Sequence, residues 1–298
     1  MSIENRIVKA EYKKQSIDID PEEMQTVEKV LDHLSLTLKL KKLRIRLLHK
    51  LEGKKPIPLT NEQFTPTDGK LIVKDLGPQV GYRFVFVVEY LGPLSIFPIV
   101  YLLRGIIYNF YNPGIIVGTL KHAQIIAISL WTLHYLKRII ESIFVHSFSH
   151  DTMPLSNLAK NSGYYWIFAF LIAYVIGHPL YTQPDQVWIY IGIAVFAVFE
   201  VLNLLSHIHL ASLRKRSGQK DHPVPTAWMF RLTVCPNYTF EILSWLGFNL
   251  ATHTLIGIVF MFAGAVQMYQ WALKKRKRYI HEHPEYPKHR KLIFPLLL

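Results

Sequence analysis

A chain of 298 residues that is half hydrophobic and still carries a formal charge of +13 is neither an ordinary soluble domain nor a disordered one. Its 34 Lys and Arg gather at the ends of apolar runs, which suits lipid headgroups and phosphate-bearing cytosolic ligands and argues against nucleic acid. The single cysteine, Cys235, excludes a disulfide framework and a Cys-based zinc site.

Residues 1–76 are polar and charged and contain no apolar leader, so a cytosolic domain is expected there. Alternation predicts strands over 6–13, 43–49 and 70–74, and 3.6-residue periodicity predicts a helix over 26–38. That order suits a small ubiquitin-like α+β domain, with docking as its plainest role. Residues 77–298 read as an all-α polytopic membrane bundle ending in a basic cytosolic tail. Spanning about 30 Å of hydrocarbon takes roughly 20 residues. Six runs are long enough, over 82–103, 115–136, 162–181, 186–208, 228–250 and 252–273, with room for a seventh or a re-entrant segment.

Basic groups follow the second run (Lys137, Arg138), the fourth (Arg214, Lys215, Arg216, Lys220) and the sixth (Lys274 to Arg278). With both termini cytosolic, all three satisfy the positive-inside rule, and Arg104 is the exception. The fifth run is interrupted by Arg231, Pro236, Asn237, Tyr238 and Glu241. Broken, polar helices persist at membrane depth only where they line a protein-walled cavity, so a site is expected at this break.

Tyr238 beside the break suits a buried general acid, although a belt tyrosine is commoner. Glu241 makes the belt reading less comfortable, because an unpaired intramembrane carboxylate is costly. Glu89 poses the same problem in the first span. Gln79, ten residues earlier, belongs about 15 Å away if one helix runs through both, which puts it near the membrane surface. Asn203, His207 and Arg214 fall within about 40° of one another on a helix face, as a polar packing stripe or a ligand-facing one. Arg214 sits where it can grip a phosphate in a charge-assisted, bidentate way.

Between the second and third runs, Lys137 and Glu141 have the i,i+4 spacing of an ion pair. His146 and His150 have a spacing that can hold a metal on a helix, but no adjacent histidine pair accompanies them and no metal is expected. The tail places Tyr279 and Tyr286 among cations, as a lipid patch or a flap over an anionic cofactor. No GxGxxG or P-loop occurs, so any nucleotide is held by helix faces, the loop 141–161 and the tail.

Four strings in order, KDLGPQVGYRFVFVVEYLGP (74–93), KRIIESIFVHSFSHDTMPLSN (137–157), CPNYTFEILSWLGF (235–248) and the tail with Trp271, Tyr279, Tyr286-Pro287 and Arg290, resemble the trans-2-enoyl-CoA reductases, a branch of the steroid 5α-reductase family. The resemblance implies an endoplasmic-reticulum membrane enzyme that uses NADPH to saturate long and very-long-chain trans-2-enoyl-CoA, the last step of each elongation round. It also implies partnership with the other elongation enzymes. Carried over, Tyr238 becomes the catalytic acid, with Glu89 and Gln79 on the substrate side. Asn203, His207, Arg214, Asn237, Glu241, Tyr279 and Arg290 become cofactor contacts, and His146 and His150 position or bind nearby groups.

The chain departs from the pattern at Ser147 and Asp151, where relatives carry Arg and Gly, at Ala211 and Ser212, which replace a more polar pair, and at Arg276, where His is common. Phosphate contacts from the loop 141–161 are the least secure transfer. Competing readings are a steroid or polyprenol enone reductase, a methyltransferase, and a lipid-binding scaffold of the elongation complex. The strings at 74–93 and the amino-terminal domain favour the acyl-CoA branch.

Overall fold

The computed structural model describes residues 8–20, 23–51, 53, 55–59, 70–148, 151–217 and 223–295. They form two units, one running through Gly81 and including Thr152–Asn157, the other made of Tyr82–Asp151 and Leu158 onward.

In the first unit, β1 (Val8–Tyr12), β2 (Gln15–Ile19), β3 (Ile45–Lys50), β4 (Ile57–Pro58) and β5 (Lys70–Asp75) form a mixed sheet in the order β2-β1-β5-β3-β4. The first is parallel to β5 and the other pairings are antiparallel. Helix α1 (Val27–Leu38) buries Val30 and Leu34 in a core with Ala10, Ile19, Leu47, Leu71 and Val73. Thr26 caps it by accepting from Lys29 N at 3.2 Å. The predicted strand 6–13 ends one residue early, because Lys13 takes φ 53 and turns the chain into β2. Beyond Asp75, held by Arg44 at 2.7 Å, β6 (Gln79–Gly81) pairs with β7 (Thr152–Pro154).

The second unit contains α2 (Tyr82–Leu102), α3 (Arg104–Tyr111), α4 (His122–Ile140), most of α5 (Leu155–Gly177), α6 (Gln186–Ser217), α7 (Trp228–Leu232), α8 (Pro236–Thr252) and α9 (Leu255–Glu282). Among the described residues, three stretches are long and apolar enough to cross a membrane, namely Tyr82–Leu102, Gln186–Arg214 and Leu255–Glu282. The chain is a mostly helical membrane protein with an amino-terminal sheet unit. Two expected runs are redrawn. The run 115–136 becomes a helix starting at His122, after Gly114 takes φ 89 and Lys121 N donates to Gln124 Oε1 at 2.8 Å. The run 228–250 divides into α7 and α8 around an extended Thr233.

Packing centres on Trp131, fully buried on α4, which donates to Pro93 O at 3.0 Å and meets Phe97, Trp245 and Phe248 with ring centroids 4.7, 5.3 and 5.7 Å away. Helices α6 and α8 approach through glycines, as membrane helices do when small residues let backbones meet. A Cβ on Gly192 falls 2.5 Å from Ala251 N, and one on Gly247 falls 2.5 Å from Phe196 N. Backbone cannot swing aside as a side chain can. Gly192→Ala is therefore expected to destabilise by about 1–3 kcal/mol or more, read as a lower unfolding midpoint in detergent.

Candidate active site

The break before α8 is tied down from the tail. Thr233 bridges Lys291 in parallel, Val234 N donates to Lys291 O at 2.9 Å, and Cys235 N donates to Leu292 O at 3.1 Å. Thr239 Oγ1 adds a bond to Ile293 O at 2.5 Å. Pro236 then opens α8 at a position where its missing N–H costs nothing. Tyr238 follows on the first turn, packed with Cys235, Tyr279, Tyr286 and Ile293. Its ring lies 6.3 Å from Trp271, and its hydroxyl makes no hydrogen bond among the described residues. Tyr279 lies 5.2 Å from Tyr286, over which the Arg290 guanidinium sits at 4.9 Å.

Facing helices contribute a buried network of charges. Arg138 donates through Nη1 to Glu141 Oε2 at 2.9 Å and through Nη2 to the Tyr90 hydroxyl at 2.8 Å. Nδ1 of His207 lies 3.1 Å from Glu141 Oε1 and 3.2 Å from Arg138 Nη1. A nitrogen that donates to the carboxylate cannot also accept from the guanidinium. We assign its proton to the Glu141 bond, which leaves Nε2 as the free acceptor. Lys137 donates to Asn203 Oδ1 at 2.8 Å and pairs with Glu200 at 2.5 Å. His134 joins Glu200 at 2.7 Å to Glu241 at 3.4 Å, and Glu241 also accepts from Trp245 Nε1 at 3.2 Å. Asn203 Nδ2 closes the chain on Asn237 O at 3.0 Å, which pins the turn that carries Tyr238.

Several expectations change. Lys137 does not pair with Glu141; Arg138 does, one residue on, and both cations lie largely inside the bundle. Glu89 is buried on α2, but its partner is Asn161, whose Nδ2 donates to Oε1 at 2.6 Å. No hydrogen bond joins Glu89 to Tyr238 among the described residues. Pro93, four residues on, cannot donate to the Glu89 carbonyl and so loosens the helix at that level. Gln79 is not on the helix that bears Glu89. It lies on β6 in the first unit, and its amide donates to Leu76 O and Gly77 O at 3.1 and 3.2 Å. Arg214 donates to Ser147 O. His150 lies outside the described residues.

Helix α4 ends in a π-helical turn, Glu141–Val145, closed by His146 N donating to Glu141 O at 2.7 Å. Such turns recur at functional sites. Burial alone would raise the Glu141 carboxyl, but His207 and Arg138 hold it well below the ordinary carboxylate range. Burial pushes His146 down from 6.5 to about 3, with Arg138 and His207 adding to the shift. Its ring stands edge-on to His207 at 4.9 Å. Ligand atoms of Glu141, His146 and His207 fall within 4.8 Å of one another, but the Arg138 guanidinium already occupies the Glu141 and His207 side, which disfavours a metal cation.

The His146 shift has a sign that can be tested. Above pH 6.5 the ring is neutral folded or unfolded; below it the unfolded chain takes up the proton first, so stability falls toward pH 3. His146→Gln is expected to flatten the fall in unfolding midpoint over that window.

Sequence reasoning missed Arg138, His134, Glu200, Tyr90 and Asn161 as members of the site. Glu200 was findable, because a carboxylate inside the apolar run of α6 demands a partner. The buried acceptors Asn237 Oδ1 and Thr233 Oγ1 at the break, and the Tyr286 hydroxyl beside Arg290, lack hydrogen-bond partners among the described residues. Unmet oxygens at the break, together with an unmet hydroxyl beside Arg290, fit a large, polar, anionic ligand such as a dinucleotide.

Residues 151–298 match the family model described as 3-oxo-5-alpha-steroid 4-dehydrogenase. The chain is 44% identical over 232 residues to the very-long-chain enoyl-CoA reductase of Dictyostelium discoideum, spanning 78% of this chain and 75% of that protein. A Schizosaccharomyces pombe relative is 40% identical over 281 residues, 92% of each chain. Identity to the trans-2,3-enoyl-CoA reductase-like protein of Homo sapiens is 34% over 235 residues, 76% of this chain and 64% of that one.

Proposed function

We propose that this chain, which belongs to the very-long-chain enoyl-CoA reductase family, reduces the α,β double bond of long and very-long-chain trans-2-enoyl-CoA to give the saturated acyl-CoA. The observation that carries the reading is Tyr238, placed on the first turn after the helix break at Thr233 with its hydroxyl unclaimed by the described protein.

NADPH, when bound, supplies the hydride that the β-carbon receives. Arg214, Arg290, Tyr279 and Asn237 would hold it, and the Oδ1 of Asn237 has no hydrogen-bond partner among the described residues. Both polar atoms of Asn203 already have protein partners, so it acts by positioning the turn that bears Asn237 and Tyr238, whereas Glu241 is engaged through Oε1 alone and keeps Oε2 for a cofactor contact. His207 and His146 line the same buried network, and Glu141 fixes the tautomer of His207.

As charge develops on the thioester oxygen, the Tyr238 hydroxyl donates to it or delivers its proton at the α-carbon. Such a donor stabilises charge that arises only along the reaction. Glu89, oriented by Asn161, faces the substrate side, and Gln79 is assigned there by resemblance. Six membrane-spanning helices (α2, α4, α5, α6, α8, α9), an amino-terminal ubiquitin-like fold, residence in the endoplasmic reticulum and docking to the other elongation enzymes complete the proposal.

The test supplies the detergent-purified protein with a long-chain trans-2-enoyl-CoA and NADPH and follows nicotinamide absorbance. Oxidation with the acyl-CoA supports the reading. If only a steroid enone is reduced, the substrate assignment is wrong; if no enone is reduced, the chain is a scaffold.

A further inference from the structure

The face of the amino-terminal sheet turned away from α1 carries an unusual charge arrangement. In the β3–β5 register, Arg46 lies directly opposite Lys74 and Lys50 directly opposite Lys70. All four side chains are exposed. Like charges facing each other across an antiparallel pair destabilise it. Between them stands an apolar pair, Leu48 opposite Ile72, half-buried and outside the core that α1 covers.

Period-two alternation adds Lys9, Glu11 and Asp18 from β1 and β2 to this face. Five cations (Lys9, Arg46, Lys50, Lys70, Lys74) against two anions (Glu11, Asp18) leave a charge of +3. Lys70 is neutralised by Glu11 at 3.0 Å. No ion pair engages Arg46, Lys50 or Lys74 among the described residues.

We propose that this face binds anionic lipid headgroups of the bilayer in which the same chain is anchored. A small sheet gains nothing on its own from the opposed Arg46–Lys74 pair, and an external layer of negative charge converts that pair from a cost into an attraction. The cations are dispersed over a flat surface around a small apolar centre, so they suit a laminar array of headgroups and not one buried anion. Chain connectivity supplies the second argument. Strand β6 ends at Gly81 and α2, one of the long apolar helices, begins at Tyr82, so the sheet unit is covalently continuous with a segment apolar enough to cross a membrane. Individually weak contacts then act at high effective concentration. The proposal rests on the chain being a membrane protein and not on the reaction it catalyses.

The test uses the full-length protein with a fluorophore at Ser16→Cys, an exposed position opposite Glu11. It is reconstituted in nanodiscs of phosphatidylcholine, alone or with phosphatidylserine, each containing a headgroup-attached quencher. Quenching at least about threefold stronger in the anionic discs, and abolished by high salt, is the expected result. The double variant Arg46→Glu/Lys74→Glu is expected to lose that difference. Arg46→Glu alone places opposite charges across the strands, so it weakens the lipid response while the unfolding midpoint stays level or rises. Equal quenching in neutral and anionic discs, or a response that survives the double variant, overturns the proposal and leaves an acidic protein as the partner to seek.

Discussion

Tyr238→Phe is expected to lower enoyl-CoA turnover about 10²- to 10⁴-fold while leaving the fold in place. The substitution removes one oxygen that makes no hydrogen bond among the described residues, so nothing in the packing with Cys235, Tyr279 and Tyr286 is disturbed. The ring contact with Trp271 also survives. Loss should appear in single-turnover rate, with cofactor affinity unchanged, because the missing interaction belongs to the transition state. Equal rates in both proteins would move the proton donor away from α8.

The second large effect concerns stability. Glu141→Leu leaves the buried Arg138 guanidinium without its carboxylate, and Arg138→Met leaves Glu141 facing only His207. Removing one partner of a buried pair typically costs about 3–5 kcal/mol, because the remaining charge stays desolvated and unpaired. The double variant Arg138→Met/Glu141→Leu is expected to cost much less than the sum of the two. Unfolding midpoints of the three variants in one detergent decide the matter. Strict additivity would mean that the two side chains do not depend on each other.

Both arguments turn on residues that the sequence revealed unequally. Tyr238 announced itself, because Pro236 and a cluster of polar residues interrupt an apolar run. The α1 helix and the strands near 43–49 and 70–74 were legible from periodicity, and they emerge within two residues of expectation. The β1–β2 hairpin was hidden because its turn uses Lys13 and Lys14, without the Asn-Gly pair that normally marks such turns.

Lys137 and Arg138 were misread for a deeper reason. A cation at the end of an apolar run looks like an interface charge unless its partners are known, and Glu200, Asn203 and His207 lie more than sixty residues away along the chain. Hydropathy reports the helix and is blind to which face its neighbour neutralises. For the same reason Asn161, the residue that holds Glu89, carried no signal at all.

The strap from Lys291 to Ile293 bears on how the protein is made. Helix α8 emerges from the ribosome before residues 291–293 exist, so its first turn is held by Asn203 of the earlier α6 and gains the strap only once α9 and those residues have been synthesised. The strap is therefore the later of these ties to form along the chain. A nascent chain stalled after α9 would hold the three long apolar helices found among the described residues and still lack the backbone ties from residues 291–293.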